Sequence, residues 1–292
     1  MTPPPTAVAP APTGPLREIR GPSAYGGGAR RFLNLTWMIA VTEFRLSYFG
    51  SALGYLWSLM RPLLFFGVLY LVFSQVLRFG GGIKAYPVLL LFNIVLFSFF
   101  SEATQASVTS VVNREGLVRK MHFPRMVIPL STVLTGILNL ALNLVAVVVF
   151  MLLYGLPVRW TWLLLPLIVV PLIMFTAGVA MLLSSLYVRF RDIAPIWSVV
   201  VQLLFYATPV LYVATTIQHL GNRLVQQILL SNPLAALLEQ ARRWVIDPSA
   251  PGAITSTGGW ELFLIPVAVF VAVCGLGLWV FNREAPRIAE LL

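Results

Sequence analysis

Charged residues are scarce in this sequence. Asp, Glu, Lys and Arg together make up 10% of the 292 residues, whereas a soluble domain normally carries about 25%. Hydrophobic residues make up 59%. A chain with so little charge has too few polar side chains to cover a soluble surface, so the composition excludes an ordinary soluble protein and indicates a membrane protein.

Cysteine and histidine are almost absent. The one cysteine, Cys274, lies inside an apolar run, which excludes a disulfide framework. The two histidines, His122 and His219, are far apart and have no cluster of Cys or carboxylates beside them, so no metal site is expected. The net charge of +10 comes from basic residues at the ends of apolar runs rather than on one polar face, so no nucleic-acid partner is expected.

The sequence also lacks the motifs of common catalytic sites. It contains no GxxxxGK[ST] phosphate-binding loop, no HExxH metal motif and no nucleophile elbow. No cofactor is therefore expected in this chain. If the protein does work against a gradient, the energy has to come from another chain.

Long apolar runs dominate what is present. A helix needs roughly 20 apolar residues to cross a bilayer core. Six runs reach this length and predict an all-α integral membrane protein with six transmembrane helices, at residues 54–77, 86–112, 127–154, 160–187, 193–213 and 260–281. Four prolines in these runs predict kinks or helix ends: Pro62, Pro166, Pro171 and Pro209.

The distribution of Lys and Arg predicts the orientation in the membrane. With both termini in the cytosol, 14 of the 20 Lys and Arg residues lie on the cytosolic side. Membrane proteins keep their Lys- and Arg-rich loops in the cytosol. The pattern therefore predicts an even number of spans, a cytosolic segment at about residues 113–125 and an external segment at about residues 214–259.

The N-terminal fifty residues divide into two parts. Residues 1–30 are rich in Pro, Ala and Gly, which predicts a disordered cytosolic tail. Residues 31–50 predict an amphipathic helix in the plane of the membrane interface, although a helix packed on protein is the alternative. At 100° per residue, one face carries Arg31, Asn34, Met38, Thr42 and Arg45, and the opposite face carries Leu33, Trp37, Ala40 and Phe44.

Polar residues inside the apolar runs are candidates for function. Glu102 lies in the second run, where a carboxylate costs about 2.5–3.5 kcal/mol to insert and therefore faces a partner or a water-filled path. Both interpretations stay open at this point. Asn139 and Asn143 lie four residues apart on the third run and predict hydrogen bonds to a neighbouring helix.

Aromatic residues gather near the predicted outer ends of the spans. We expect Phe97, Phe100, Tyr206 and Tyr212 to include residues that line a path for a glycan, because flat rings suit the apolar faces of sugars. An aromatic belt at the membrane surface is the alternative.

The external segment at residues 214–259 is not purely polar. Ile217, Leu224 and Ile228 fall at helical spacing before the pair Asn232–Pro233 interrupts the pattern. Two short helices around this break predict a re-entrant hairpin that dips into the outer leaflet, where non-helical backbone has to be shielded by protein. A pair of helices lying flat on the membrane surface is the alternative.

The basic segment at residues 113–129, NREGLVRKMHFPRMVIP, lies between the second and third runs. Its charge alone predicts a cytosolic anchor that fixes topology. The alternative is a short cytosolic helix that receives a push from a soluble motor protein.

Four segments together resemble the membrane subunits of type-2 ABC exporters, in the Wzm-like branch that exports polysaccharide, O-antigen and teichoic acid. They are LGYLWSLMRPLLFFGVLYLVFSQVL (53–77), NREGLVRKMHFPRMVIPL (113–130), LYVRFRDI (186–193) and SNPLAALLEQARRW (231–244). The family pattern K-x-x-F-P-R-x-x-x-P is matched by Lys120, Phe123, Pro124, Arg125 and Pro129. A second pattern, N-P-x-x-x-x-[ILV]-E, is matched by Asn232, Pro233, Leu238 and Glu239.

The resemblance implies a six-span transmembrane domain at residues 51–292, with an ATPase-coupling helix, a translocation path and a re-entrant hairpin. The implied coupling residues are Glu115, Leu117, Arg119, Lys120, Met121, Phe123, Pro124 and Arg125. The path would include Phe97, Phe100, Glu102, Tyr206 and Tyr212, and the hairpin Asn232, Pro233 and Glu239.

The resemblance also implies partners and a location. Two copies of the chain would pair with two ABC ATPase subunits, which bind ATP and Mg, and would pass a lipid-linked glycan across the bacterial plasma (inner) membrane. A drug or lipid exporter permease of the same fold is the alternative. A membrane-embedded glycosyltransferase is a further one, but the cytosolic loops are too short to hold its catalytic site.

Overall fold

The computed structural model describes residues 28–49, 54–77, 83–116, 124–218 and 223–285. These residues form helices joined by turns, with no strand among them, so the prediction of an all-α protein is confirmed. The helices are α1 (Gly28–Tyr48), α2 (Leu56–Tyr70), α3 (Tyr86–Asn113), α4 (Val127–Leu153), α5 (Pro166–Arg189), α6 (Ile193–Ala207), α7 (Ala214–Gln218), α8 (Arg223–Leu230), α9 (Pro233–Val245), α10 (Ala253–Thr257) and α11 (Trp260–Glu284).

Two shorter elements complete this order. A π-helical turn, Leu71–Val76, continues α2, and a 3-10 turn, Trp160–Leu164, precedes α5. The helix α1 begins at Gly28, so the last three residues of the predicted tail are helical, and the rest of that tail lies outside the described residues.

Five helical stretches of the described chain are long and apolar enough to cross a membrane. They agree within a few residues with five of the six predicted spans and establish a multi-pass membrane protein. The stretches are Leu56–Val76, Tyr86–Asn113, Val127–Leu153, Trp160–Arg189 and Trp260–Glu284.

The helix in the predicted span at residues 193–213 is shorter than expected, because α6 ends at Ala207 after 15 residues, and the helix end predicted near Pro209 is confirmed. The next residue, Thr208, precedes Pro209 and has extended dihedral angles, φ −89° and ψ 143°. A residue before proline is pushed out of the helical region by the proline ring. Fifteen helical residues extend about 22 Å, which is short of the roughly 30 Å of a bilayer core.

The prolines in the other spans behave in two ways. Pro166 is the first residue of α5, where an N–H has no partner within the helix, so its absence costs nothing. The prediction of a helix end at Pro166 is confirmed. Pro62 and Pro171 lie inside α2 and α5, and both helices continue through them. Membrane helices tolerate interior prolines when neighbouring groups compensate for the lost hydrogen bond.

The core of the protein is centred on α3, which contacts α2, α4, α5 and α6. In the most apolar part of α3, 78% of the residues are buried. The buried share is 6% in the most apolar part of the α2 stretch and 11% in that of α11. A helix that is apolar on all sides is expected at such a central position. The helices α2 and α11 therefore present most of their side chains to the outside of the chain.

The helices α5 and α11 touch backbone to backbone at two glycines. A Cβ atom built on Gly277 would lie 2.1 Å from the carbonyl oxygen of Gly178, and a Cβ on Gly178 would lie 2.9 Å from the Cα of Cys274. Small residues allow membrane helices to approach this closely and to gain van der Waals contact.

The helix α1 packs along α4. Thr36 and Ala40 are buried at this contact, and the Ala40 carbonyl accepts a hydrogen bond from Thr135 Oγ1 at 3.2 Å. Leu33 and Trp37 are exposed, although the sequence placed them on the same apolar face as Ala40. One edge of α1 therefore packs on protein while another presents apolar side chains outward, and its position in the membrane interface stays a prediction.

Candidate functional site

A polar groove runs between α1, α2, α3 and α4, with a volume of about 480 Å³. Twelve of its twenty lining residues are polar, which is unusual among membrane-spanning helices because polar side chains are costly there. The polar lining residues are Glu43, Ser47, Ser58, Ser98, Glu102, Ser110, Asn113, Arg114, Thr132, Thr135, Asn139 and Asn143.

The spacing of these residues along the chain explains the groove. On α3, Glu102 lies four residues after Ser98 and Ser110 lies eight residues after Glu102, so the three side chains form one stripe along the helix. Asn139 and Asn143 belong to a matching stripe on α4. Small residues form the floor, since a Cβ at Gly136 would lie 3.1 Å from the Cβ of Ala103.

Glu102 has a charged partner on a neighbouring helix. Its Oε1 lies 3.6 Å from Nη1 of Arg61 on α2, and both side chains are about half exposed or more. Glu102 therefore both links two helices and lines the groove, so the two interpretations of its role in the sequence are compatible.

Arg114 joins three helices at the end of α3. Its guanidinium pairs with the Glu43 carboxylate of α1. It also donates to the carbonyl of Ile128 at 3.3 Å and to Oγ of Ser131 at 3.1 Å, both on α4. Burial lowers the pKa of Arg114, but an arginine stays charged in proteins, so the pairing offsets the cost of burying its charge. Sequence reasoning did not single out Glu43, although it is the one carboxylate in α1.

Three aromatic rings lie where α1 approaches α2, next to the groove. Phe44 is 5.4 Å from Tyr48 and 5.3 Å from Tyr55, and the two tyrosines are 4.8 Å apart, centroid to centroid. The Tyr48 hydroxyl donates to Oδ1 of Asn139 on α4 at 2.7 Å. Burial raises the pKa of Tyr48 above its usual range. The predicted interhelical bond is therefore confirmed for Asn139, while Asn143 bonds within α4, to the Asn139 carbonyl.

The aromatic residues proposed for the glycan path differ in exposure. Phe97 and Phe100 are 5% and 1% exposed. Their rings pack against Phe205 at 5.3 Å and Phe175 at 5.7 Å respectively. These two rings pack against protein in the described chain, and a role for them in lining a path stays a prediction.

Tyr206 and Tyr212 lie beside the end of α6. The Tyr206 side chain is exposed, and its backbone carbonyl accepts a hydrogen bond from the Tyr212 hydroxyl at 2.8 Å. A role for these two tyrosines in a path stays a prediction.

The coupling segment is described only at its two ends. Glu115 follows α3, and Pro124 and Arg125 precede α4, where their carbonyls accept hydrogen bonds from Val127 at 3.0 Å and Ile128 at 3.2 Å. The other predicted coupling residues, Leu117, Arg119, Lys120, Met121 and Phe123, lie outside the described residues.

The chain between α6 and α7 is non-helical and buried. Thr208, Val210, Leu211 and Val213 are all at most 3% exposed. Buried backbone polar groups need hydrogen-bond partners, and at membrane depth only protein or a lined cavity can supply them. Side chains from α3 and from the region of α9 bond to this stretch, mostly at its backbone groups.

Two of these side chains belong to α3. The Tyr86 hydroxyl donates to the carbonyl of Leu211 at 2.9 Å. The Asn93 amide donates to the carbonyls of Pro209 and Val210 at 3.1 and 3.3 Å. The break in the helix is therefore fixed against the centre of the bundle.

Two others belong to the predicted hairpin around α9. Asn232 Nδ2 donates to Oγ1 of Thr208 at 2.7 Å, and Glu239 accepts from the Ala214 amide at 2.6 Å. Asn232 Oδ1 also caps α9 by accepting from the Leu234 amide, and Pro233 is the first helical residue, so the predicted chain break is confirmed.

Glu239 is buried beside Arg242, with 3.6 Å between Oε2 and Nη1. Burial raises the pKa of Glu239, against the opposing effects of the Ala214 N–H and of Arg242. With Leu234 and Leu238 also buried, α9 packs into the bundle. Its depth in the membrane stays a prediction.

Comparison with known proteins agrees with this architecture. The family profile described as ABC-2 type transporter matches residues 34–243. Two O-antigen export system permease proteins RfbA from Klebsiella pneumoniae are 31% and 29% identical to the chain, each across 87% of it and 93% of the relative. A protein of the same name from Myxococcus xanthus is 33% identical, across 85% of the chain and 91% of the relative.

Proposed function

Because this chain belongs to the ABC-2 type transporter family, we propose that it is the membrane permease of an ATP-driven exporter that moves a lipid-linked polysaccharide out of the cytosol. Its relatives named as O-antigen export permeases support a glycan as the substrate. The substrate would be a bacterial surface polymer of the O-antigen, galactan, capsule or teichoic acid type.

The polar groove is the observation that carries this proposal. Its Ser, Thr and Asn side chains suit the hydroxyls of sugars, whereas a drug or a lipid tail gains nothing from so many polar groups. The ring cluster of Phe44, Tyr48 and Tyr55 lies beside it and offers the flat surfaces on which sugar faces stack. In the complete exporter, the groove would hold part of the glycan, with Glu102 inside it and Tyr206 and Tyr212 further along the path.

The proposed arrangement in the membrane has six crossings. The short helix α6, with the buried break after it, would form the fifth crossing, and α7 to α10 would form the external re-entrant segment. The helix α1 would lie at the cytosolic interface, and both termini would be cytosolic. The Lys and Arg asymmetry supports this orientation.

The energy would come from a separate ATPase that binds ATP and Mg, with two copies of each subunit in the exporter. The segment from Glu115 to Arg125 would dock on that ATPase. The contacts of Arg114 support a mechanical role, because they tie the start of this segment to Glu43 on α1 and to Ser131 on α4. A displacement of the segment would therefore move two walls of the groove.

The test of the path is to fill the groove. Ala106 is exposed on the groove wall, and Ala141 is exposed on α4 outside it. In cells that depend on this exporter, Ala106→Trp should reduce surface polysaccharide at least about tenfold, while Ala141→Trp should not. Both proteins should reach wild-type abundance in the membrane. Normal export by Ala106→Trp would show that the groove is not the path.

A further inference from the structure

Each carboxylate that lines the groove has a guanidinium partner, which is Arg114 in the lining for Glu43 and Arg61 of α2, outside the lining, for Glu102. Glu43 pairs with Arg114, and Glu102 lies 3.6 Å from Arg61, so two carboxylates face two guanidinium groups. The remaining polar residues of the lining are Ser, Thr and Asn. A ligand in the groove therefore meets no uncompensated positive charge among the described lining residues.

Most side-chain donors of the lining already donate hydrogen bonds to other groups of the protein. Ser47, Ser110 and Thr132 each donate to a backbone carbonyl three or four residues earlier on their own helix, at 2.8–3.2 Å. Asn143 uses its Nδ2 in the same way, at 3.0 Å from the Asn139 carbonyl. A hydroxyl that has donated its hydrogen keeps two lone pairs, and the Asn143 amide keeps its oxygen and one N–H, whereas the Asn139 oxygen already accepts from Tyr48. The groove therefore offers more acceptors than donors.

An acceptor-rich surface distinguishes two classes of glycan. A neutral sugar brings several O–H donors, which match the free lone pairs of the groove. A carboxylate or a phosphate brings only acceptors, and it needs N–H or O–H donors or a free cation to replace the water it loses. Bringing such an anion near Glu43 and Glu102 adds repulsion that Arg114 and Arg61, already paired, do not fully offset.

We propose that this groove binds an uncharged, hydroxyl-rich stretch of glycan and discriminates against glycans with an anionic group on each repeat. The inference rests on the proposed function, because it assigns a substrate class to the same groove. Acidic polymers, including those linked by phosphate, are then poor substrates of this permease.

The inference is tested by binding, with the full-length chain in lipid nanodiscs. The probes are a galactan oligosaccharide and a galacturonan oligosaccharide of the same length, which differ in whether each ring carries a carboxylate. Affinities are measured by saturation-transfer NMR. The wild-type chain should bind the galactan at least about tenfold more tightly.

One substitution should change this preference. Glu102→Gln keeps the size of the side chain but leaves Arg61 without its carboxylate, so the galacturonan should gain at least about fivefold in affinity relative to the galactan. Glu261→Gln is the matched control, because Glu261 is exposed on the first turn of α11, far along the chain from the groove. It should leave both affinities unchanged.

The outcomes separate this inference from the proposed function. Equal or tighter binding of the galacturonan by the wild-type chain overturns the inference, as does an unchanged ratio in Glu102→Gln or no binding of either probe. If Ala106→Trp still stops polysaccharide export in those cases, the function stands and only the substrate class is wrong. Normal export by Ala106→Trp overturns both.

Discussion

At the scale of single residues, the polar groups of the membrane helices meet across helix boundaries. Tyr48 and Asn139 are 91 positions apart, and their hydrogen bond joins α1 to α4 beside the groove. The sequence predicted that the Asn139 side chain bonds to another helix, but it did not identify Tyr48 as the partner. Partners of this kind depend on how each helix is rotated about its axis, and helices that are apolar on most sides carry little periodic signal from which to read that rotation.

The Tyr48–Asn139 bond gives a prediction at this scale. Tyr48→Phe removes one hydroxyl and leaves the ring cluster in place, so it should cost about 1 kcal/mol and lower the Tm of the purified protein by about 2–4 °C. Tyr154→Phe is the control, since Tyr154 is about half exposed at the end of α4. A Tm for Tyr48→Phe equal to that of Tyr154→Phe would mean that the hydrogen bond contributes nothing to stability.

At the scale of elements, the apolar runs and the prolines account for what sequence could predict. Run length placed five membrane helices to within a few residues, because a bilayer sets a minimum length that no other environment requires. It overestimated the run at residues 193–213, where apolar residues continue past Pro209 although the helix stops at Ala207. The kink or helix end predicted at Pro209 is found there, because the residue before a proline is pushed out of the helical region. The length was overestimated because hydropathy does not register a break in backbone geometry.

The contact between α5 and α11 gives a prediction at this scale. Gly275 and Gly277 lie two positions apart on α11 and serve as a matched pair. Gly277→Ala places a methyl group against the Gly178 carbonyl, so it should force the helices apart and cost about 1–3 kcal/mol or more. Gly275→Ala meets nothing within 4 Å and should be neutral or slightly stabilising, because alanine favours helix.

Thermal melting and gel filtration of the two variants in detergent check this prediction. Gly277→Ala should melt at least several degrees below Gly275→Ala or should appear as aggregate. Equal melting temperatures and equal monodisperse fractions would show that α5 and α11 do not depend on this close approach.

At the scale of the whole molecule, the number of crossings decides the topology. Five crossings would leave residues before α2 and after α11 on opposite sides of the membrane, whereas six return the chain to the same side. The five long helices do not decide between these arrangements, because the sixth passage depends on α6 and the break after it. The charge distribution favours six.

Cysteine labelling at two positions distinguishes the two topologies. In a Cys274→Ser background, Thr255→Cys in α10 should react with a membrane-impermeant maleimide in intact spheroplasts. Asp192→Cys, before α6, should react only after permeabilisation. Both positions are exposed, so lack of reaction is not due to burial. Reaction of both positions in intact spheroplasts would place them on one side of the membrane and remove the crossing at α6.

The buried break after α6 has a consequence for biogenesis. Its hydrogen-bond partners on α3 are synthesised before it, but Asn232 and Glu239 leave the ribosome after it. Until α9 has been made, the Ala214 amide lacks the carboxylate that accepts from it. This part of the nascent chain therefore cannot settle in lipid as soon as it emerges, and a translocon, a chaperone or water has to shelter it until α9 has been made.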